Sequence, residues 1–173
     1  MQREREATAE DILPDVLGHG LAVVFCGSAA SSASARAGAY YAGPGNRFWP
    51  TLHRTGLTPR LIEPGEFRTV LAFGIGLTDM AKSASGGDAE LPAGADDAAA
   101  LRRKIEAFRP AILAFVGKRA AQVFLGRAAG YGPQAETIGS TRLYVLPSPS
   151  GAARRWWDER WWRELAALSA SGR

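Results

Sequence analysis

The chain has 173 residues, 46% of them hydrophobic, which suits one folded domain with a sizeable core and excludes a disordered composition. A single cysteine, Cys26, excludes an internal disulfide and any multi-cysteine zinc site, and with only His19 and His53 besides, no conventional metal centre is expected. The formal charge of +4 and a pI near 9.6 point to an anionic partner such as nucleic acid.

The stretch from Met1 to Asp11 mixes both charges and lacks the apolar segment of a secretion signal. Residues 1–10 are expected to form a disordered tail. No apolar run approaches the roughly 18 residues needed to span a bilayer. Leu21 to Gly27 is short, β-branched in its middle and closed by glycine, the pattern of a buried parallel strand. Small residues from Ser28 to Ala35 read as a loop, followed by Tyr40-Tyr41 and Gly43-Pro44-Gly45-Asn46. Asn46 is placed to cap a helix over Phe48 to Thr55.

A second strand is predicted over Val70 to Leu77, ending at Thr78-Asp79, and Ser83 to Ala95 reads as a loop with Gly86-Gly87 and Pro92. Asp96 to Phe108 reads as a helix, with Leu101, Ile105 and Phe108 on one face and Pro110 as its stop. Ala111 to Val116 is a third strand, Gly117 to Gly126 a helix, and Thr141 to Leu146 a further strand halted by Pro147-Ser148-Pro149. The last segment, Ala153 to Leu168, reads as a helix rich in Trp and Arg. Helical spacing would put Trp157 and Trp161 on one face, so at least one tryptophan pair is expected in the core, and an exposed one could stack on DNA.

Strand–helix alternation of this kind predicts a single α/β domain over residues 1–173, three layers deep, with a central, mostly parallel sheet. Ligands of such sheets bind beyond the carboxyl ends of the strands. That rule directs attention to Gly27 to Ser31, Thr78-Asp79, and Pro147 to Arg154.

At these strand ends the chain resembles the mismatch-specific uracil/thymine-DNA glycosylases, of the uracil-DNA glycosylase superfamily. Val23-Val24-Phe25-Cys26-Gly27 followed by Pro44-Gly45-Asn46-Arg47-Phe48-Trp49 is similar to the family's first motif. Gly76-Leu77-Thr78-Asp79-Met80 is similar to its second strand end. Arg109-Pro110 with Phe115-Val116-Gly117-Lys118 resembles its next helix and strand. Ile138 to Thr141 and Val145 to Gly151 resemble its DNA-insertion motif. The resemblance implies a monofunctional enzyme of base-excision repair that flips uracil, or a related damaged base, out of DNA and hydrolyses its N-glycosidic bond. It implies duplex DNA carrying uracil or mismatches as partner, single-stranded DNA as a further one, no cofactor, a monomer, and a cytoplasmic, bacterial nucleoid-associated location.

Residue by residue, the resemblance assigns base stacking to Tyr41, contact with the base edge to Asn46, and donation to a base carbonyl to backbone N–H groups around Ser28. Ser148, Ser150, Gly151 and Ala152 would meet the DNA backbone and the gap left by the flipped nucleotide. Ala152 stands where the family has a bulky wedge, so Arg154, with Arg155 beside it, is the expected inserting or phosphate-binding side chain. Arg36 could hold a phosphate or pair with an acid.

One departure bears on the chemistry. The family's first motif carries an asparagine that positions the attacking water, and Ala29 occupies that place. In its small-residue loop and its Ala35 to Tyr41 stretch the chain resembles a divergent bacterial branch of the family, and that resemblance implies an aspartate as replacement. Bond cleavage makes the sugar cationic, and a carboxylate can both stabilise that charge and orient water. Asp88, on the Gly-rich loop and able to swing inward, is favoured over Asp79, whose alternative role is to cap a strand end. Lys82 is the nearest lysine for Schiff-base chemistry, which is not expected. His53 reads as surface or packing and Cys26 as a small buried hydrophobe. Two rivals stand beside this reading: a catalytically weak binder of lesions or abasic sites, and an unrelated enzyme acting on a small nucleotide, which the lack of a phosphate-loop motif disfavours.

Overall fold

The computed structural model describes residues 10–171, so the tail expected over 1–10 lies almost wholly outside the described residues. Five strands form the sheet: β1 (Val23–Gly27), β2 (Ile75–Asp79), β3 (Ile112–Val116), β4 (Gly132–Ile138) and β5 (Thr141–Leu146). Their order is β2-β1-β3-β5-β4, and every neighbouring pair is parallel except β4–β5. The helices are α1 (Ser32–Ala37), α2 (Phe48–Arg54), α3 (Ala98–Phe108), α4 (Lys118–Leu125) and α5 (Glu159–Ser171). The expected three-layer α/β architecture is what the chain adopts.

The apolar runs of the central strands explain the layering. All five residues of β1 and of β3 are buried, because side chains alternate between two covered faces. Val23, Phe25, Ile112 and Ala114 pack with Phe48 and Leu52 of α2 and Trp162 and Leu165 of α5. Val24, Cys26, Leu113 and Phe115 pack with Leu101 and Ile105 of α3 and Ala120 and Ala121 of α4. Cys26 is therefore a core residue, as its neighbours in sequence suggest. Among the described residues no helix is long and apolar enough to cross a membrane.

Four expectations are corrected. The strand expected from Val70 begins only at Ile75, because Pro64–Phe73 is a 3-10 helix. Pro64 opens it, Phe67 and Val70 bury at a spacing of three, and Gly74 ends it in the left-handed conformation. The small-residue loop contains α1, whose cap is Ser31, its hydroxyl accepting from the Ser34 N–H. β4 went unread because it is a polar edge strand with a proline; its signal was the Gly139-Ser140 turn before β5. The single C-terminal helix is two elements, a 3-10 helix over Gly151–Trp156 and then α5, with Asp158 accepting from the Arg160 N–H at the restart.

Smaller adjustments follow the same local chemistry. The Asn46 side chain accepts from the Phe48 N–H at 2.9 Å, so it does cap α2, although Arg47 is the residue flanking the helix. α3 starts at Ala98, two residues later than expected, with Asp97 as its cap, and ends at Arg109 in the left-handed conformation before Pro110.

Candidate active site

One cavity of about 700 Å3 opens at the carboxyl ends of β1, β2, β3 and β5, in the size range of small-molecule pockets. Ser28, Ala29, Tyr41, Asn46, Asp79, Asp88, Ser148, Ser150 and Ala152 all line it. Gly151, Arg36, Arg154 and Arg155 do not; the three arginines are exposed, Arg36 on α1 and the others beside the mouth.

The floor is built by strand register. Gly27, the last residue of β1, pairs with Asp79, the last of β2. A Cβ on Gly27 would lie 2.7 Å from Asp79 Oδ1 and 3.2 Å from the Tyr41 hydroxyl, so three residues distant in sequence converge there. Any side chain at this position would displace the Asp79 carboxyl. The Met80 N–H donates to Gly27 O at 2.9 Å and the Ala81 N–H to Ser28 O at 2.8 Å, which fixes both strand ends together.

Tyr41 is held by its neighbours rather than by its own preference. Its backbone sits at φ 51°, in the left-handed region a tyrosine seldom adopts. The Ser34 hydroxyl, buried at the start of α1, accepts from the Ala42 N–H at 3.0 Å, and Trp49 Nε1 donates to Tyr40 O at 2.9 Å. These bonds clamp the turn on both sides. The Tyr41 ring stacks on Phe48 with centroids 3.9 Å apart, which leaves its other face for the cavity. Its hydroxyl is buried with no hydrogen-bond partner among the described residues, and burial, with Asp79 close by, pushes its ionisation up.

Asp79 is buried, at 6% exposure. Burial raises its pKa to about 7, against the pull of nearby Lys82 and Lys104 and with a push from Asp15. Those three form a charged cluster behind the floor. Asp15 lies 2.9 Å from Lys82 Nζ and 2.6 Å from Lys104 Nζ, and it accepts from the Thr78 hydroxyl at 2.7 Å. Lys82 also donates to the Tyr40 hydroxyl and does not line the cavity, so the sequence reading of Lys82 as the nearest lysine is corrected. Lys118 and Arg119, just past β3, line it instead. Lys118 Nζ lies 4.4 Å from the Tyr131 ring centroid, and Arg119 forks onto Asp96.

Asp88 occupies the rim. It is exposed and begins a short 3-10 turn, Asp88–Glu90. With the loop as folded, Asp88 already borders the cavity. The Gly86 N–H donates to Ala30 O at 2.9 Å, and Ala30 and Ser85 form a bridge, so the Gly-rich loop is already tied along the loop that follows β1.

The remaining wall is the segment after β5. Trp162 Nε1 donates to Pro147 O at 3.1 Å and the Arg47 N–H to Pro149 O at 2.9 Å, which anchors this segment to α5 and α2. Gly151 faces Pro44 O at a Cβ distance of 3.4 Å, so its small size serves a close approach between two loops. Sequence reasoning missed Ser34, Lys118, Arg119 and Tyr131, and it did not say which tryptophan would be the exposed one, which is Trp156. The strand-end rule, applied to Val116 as well, would have found Lys118 and Arg119; the others meet the cavity only through the fold.

The comparisons agree with this architecture. The model of the family described as "Uracil DNA glycosylase superfamily" matches residues 14–168. Among solved structures, the solution NMR structure of a "putative Uracil DNA glycosylase" from Methanosarcina acetivorans aligns with a TM-score of 0.61 at 22% identity, over 95% of this chain and 99% of that one. With a sheet of this order, a cavity at its carboxyl end and a family match over nearly the whole length, the chain belongs to the uracil-DNA glycosylase superfamily.

Proposed function

We propose that this protein is a monofunctional DNA glycosylase that takes uracil, or a related damaged base, into the cavity and hydrolyses its bond to deoxyribose. The observation that carries the reading is the convergence of Asp79 and Tyr41 over Gly27, at the floor of a cavity with room for a nucleobase. A base stacked on the free face of Tyr41 would present its polar edge to Asn46, to backbone N–H groups around Ser28, and to Asp79. Asn46 commits its oxygen to the Phe48 N–H and keeps its amide hydrogens for a ligand.

Depth separates the two aspartates. The base enters first and the sugar, tied to the DNA backbone, stays near the mouth. Asp79, at the floor, would meet the base, and Asp88, at the rim, would meet the sugar. A carboxylate at the rim can stabilise the cationic sugar and orient water there, which supplies what Ala29 cannot. Lys118 is exposed at the mouth and stacked on Tyr131, away from the floor where Asp79 and Tyr41 converge, so no Schiff-base step is assigned to it. Exposed Arg36, Arg154 and Arg155 suit phosphate contacts, and the Ser148 and Ser150 hydroxyls stand at the cavity edge.

The test is incubation with uracil-containing duplex and single-stranded oligonucleotides, followed by alkaline cleavage. Strand breaks at the uracil are expected. A shifted gel band without breaks would favour the second reading, a weak or inactive lesion binder, which Ala29 in the cavity wall recommends.

A further inference from the structure

Among the described residues Trp156 is the most exposed large hydrophobic side chain, at 67% of its surface, and it stands at the lip of the cavity. The other tryptophans do what indoles ordinarily do in water. Trp49 and Trp162 are buried at 3% and 0%, and Trp157 and Trp161 are half-buried. The neighbours Trp156 and Trp157 part company because the 3-10 helix ends between them. Trp157 turns inward, with the Arg47 guanidinium 5.4 Å over its ring and Trp162 5.8 Å away, while Trp156 turns outward.

The platform beneath Trp156 is stiff. Its segment is pinned at Pro147 by Trp162 and at Pro149 by Arg47, and the Ser150 hydroxyl accepts from the Ala152 N–H. The Ala152 and Ala153 side chains between the ring and the floor are short and leave the lip to the indole. Arg155 lies 6.0 Å from the ring and Arg154 beside it, both exposed, so the aromatic is flanked by cations that suit phosphates. An apolar ring exposed to water on an anchored segment, at the mouth of a nucleobase-sized cavity, suits one kind of ligand. That ligand is the pair of base faces uncovered when a nucleotide leaves a duplex.

We propose that Trp156 is the side chain that fills the gap in the duplex when the target base enters the cavity, a positioning residue in place of Ala152. The inference rests on the glycosylase reading. Stacking of an aromatic on a base is worth on the order of tenfold in binding, and only a duplex has a gap to fill. Single strands have no partner base that competes to take the nucleotide back.

The experiment compares initial excision rates on uracil in duplex and in single-stranded DNA for the unaltered protein, Trp156→Ala and Trp156→Phe. The ratio of duplex to single-strand rate is expected to fall by about tenfold in Trp156→Ala and to recover most of that loss in Trp156→Phe. If both substrates slow equally, or the ratio does not move, the wedge assignment is overturned while the glycosylase reading stands. Excision from single strands alone by the unaltered protein also overturns the wedge. Excision from neither substrate overturns both readings.

Discussion

The floor and the mouth of the cavity are made of the same kinds of residue, an aspartate and an aromatic each, in opposite surroundings. At the floor, Asp79 and Tyr41 are pressed against Gly27 where two buried strands end, and the Tyr41 hydroxyl has no partner among the described residues. At the mouth, Asp88 and Trp156 stand in solvent among charged neighbours. The difference teaches that position along the cavity axis sets the chemistry available to a side chain. Desolvation alters titration and makes each unpaired group costly at the floor, whereas groups at the mouth act through where they point.

The largest effect that would break this comparison concerns Asp79. Its folded pKa of about 7 stands above the ordinary 3.8, so the fold favours its neutral form. The stability this contributes is full below about pH 4 and is lost as pH rises through about 7, a change of up to roughly 4 kcal/mol. Asparagine has no proton to lose. Asp79→Asn is therefore expected to match the unaltered protein near pH 4 and exceed it by a few kcal/mol near pH 8, as read by urea denaturation. An equal difference at both pH values would show that Asp79 is not desolvated.

Next comes Asp88. Its replacement by Asn is expected to cut uracil excision about a hundredfold, the scale of a positioned acid or base, with stability unchanged because the side chain is exposed. If Asp79→Asn shows that loss instead, the roles assigned by depth are reversed. If neither variant slows, the idea that an aspartate replaces the family's asparagine is wrong.

A smaller effect sharpens the description of the floor. The Tyr41 hydroxyl is buried without a partner, so Tyr41→Phe should raise stability by about 1 kcal/mol while keeping the stacking ring. A loss of stability in a thermal melt would mean that the hydroxyl is bonded in solution. The smallest concerns the mouth. Arg154→Ala should weaken binding to uracil-containing duplex only severalfold and make the log–log salt dependence shallower by about one. An unchanged slope would remove Arg154 from the phosphate contacts.

Much of this arrangement was legible in the sequence, for reasons that differ by element. The apolar runs at Val23 to Gly27, Ala111 to Val116 and Thr141 to Leu146 announced the central strands because a strand covered on both faces needs an unbroken apolar segment. β4 needs no such segment at the edge, so its polar composition concealed it. Most of the candidate site residues could be named because they follow strands whose ends must share one edge of a parallel sheet. Lys82 was misjudged because proximity in sequence to Asp79 says nothing of direction, and its side chain runs back to Asp15.

The sequence by itself determined the layered fold, the edge at which the site would lie, and the chemical types gathered there, since hydrophobic periodicity and the alternation of strands with helices are local properties of the chain. Only the tertiary structure decided depth. That Gly27 faces Asp79, that Tyr41 lies on Phe48, that the Asp88 loop is tied to Ala30, and that Trp156 turns outward where Trp157 turns in are contacts between segments distant in the chain or consequences of where a helix ends. Packing sets these, and no pattern within a single segment contains them.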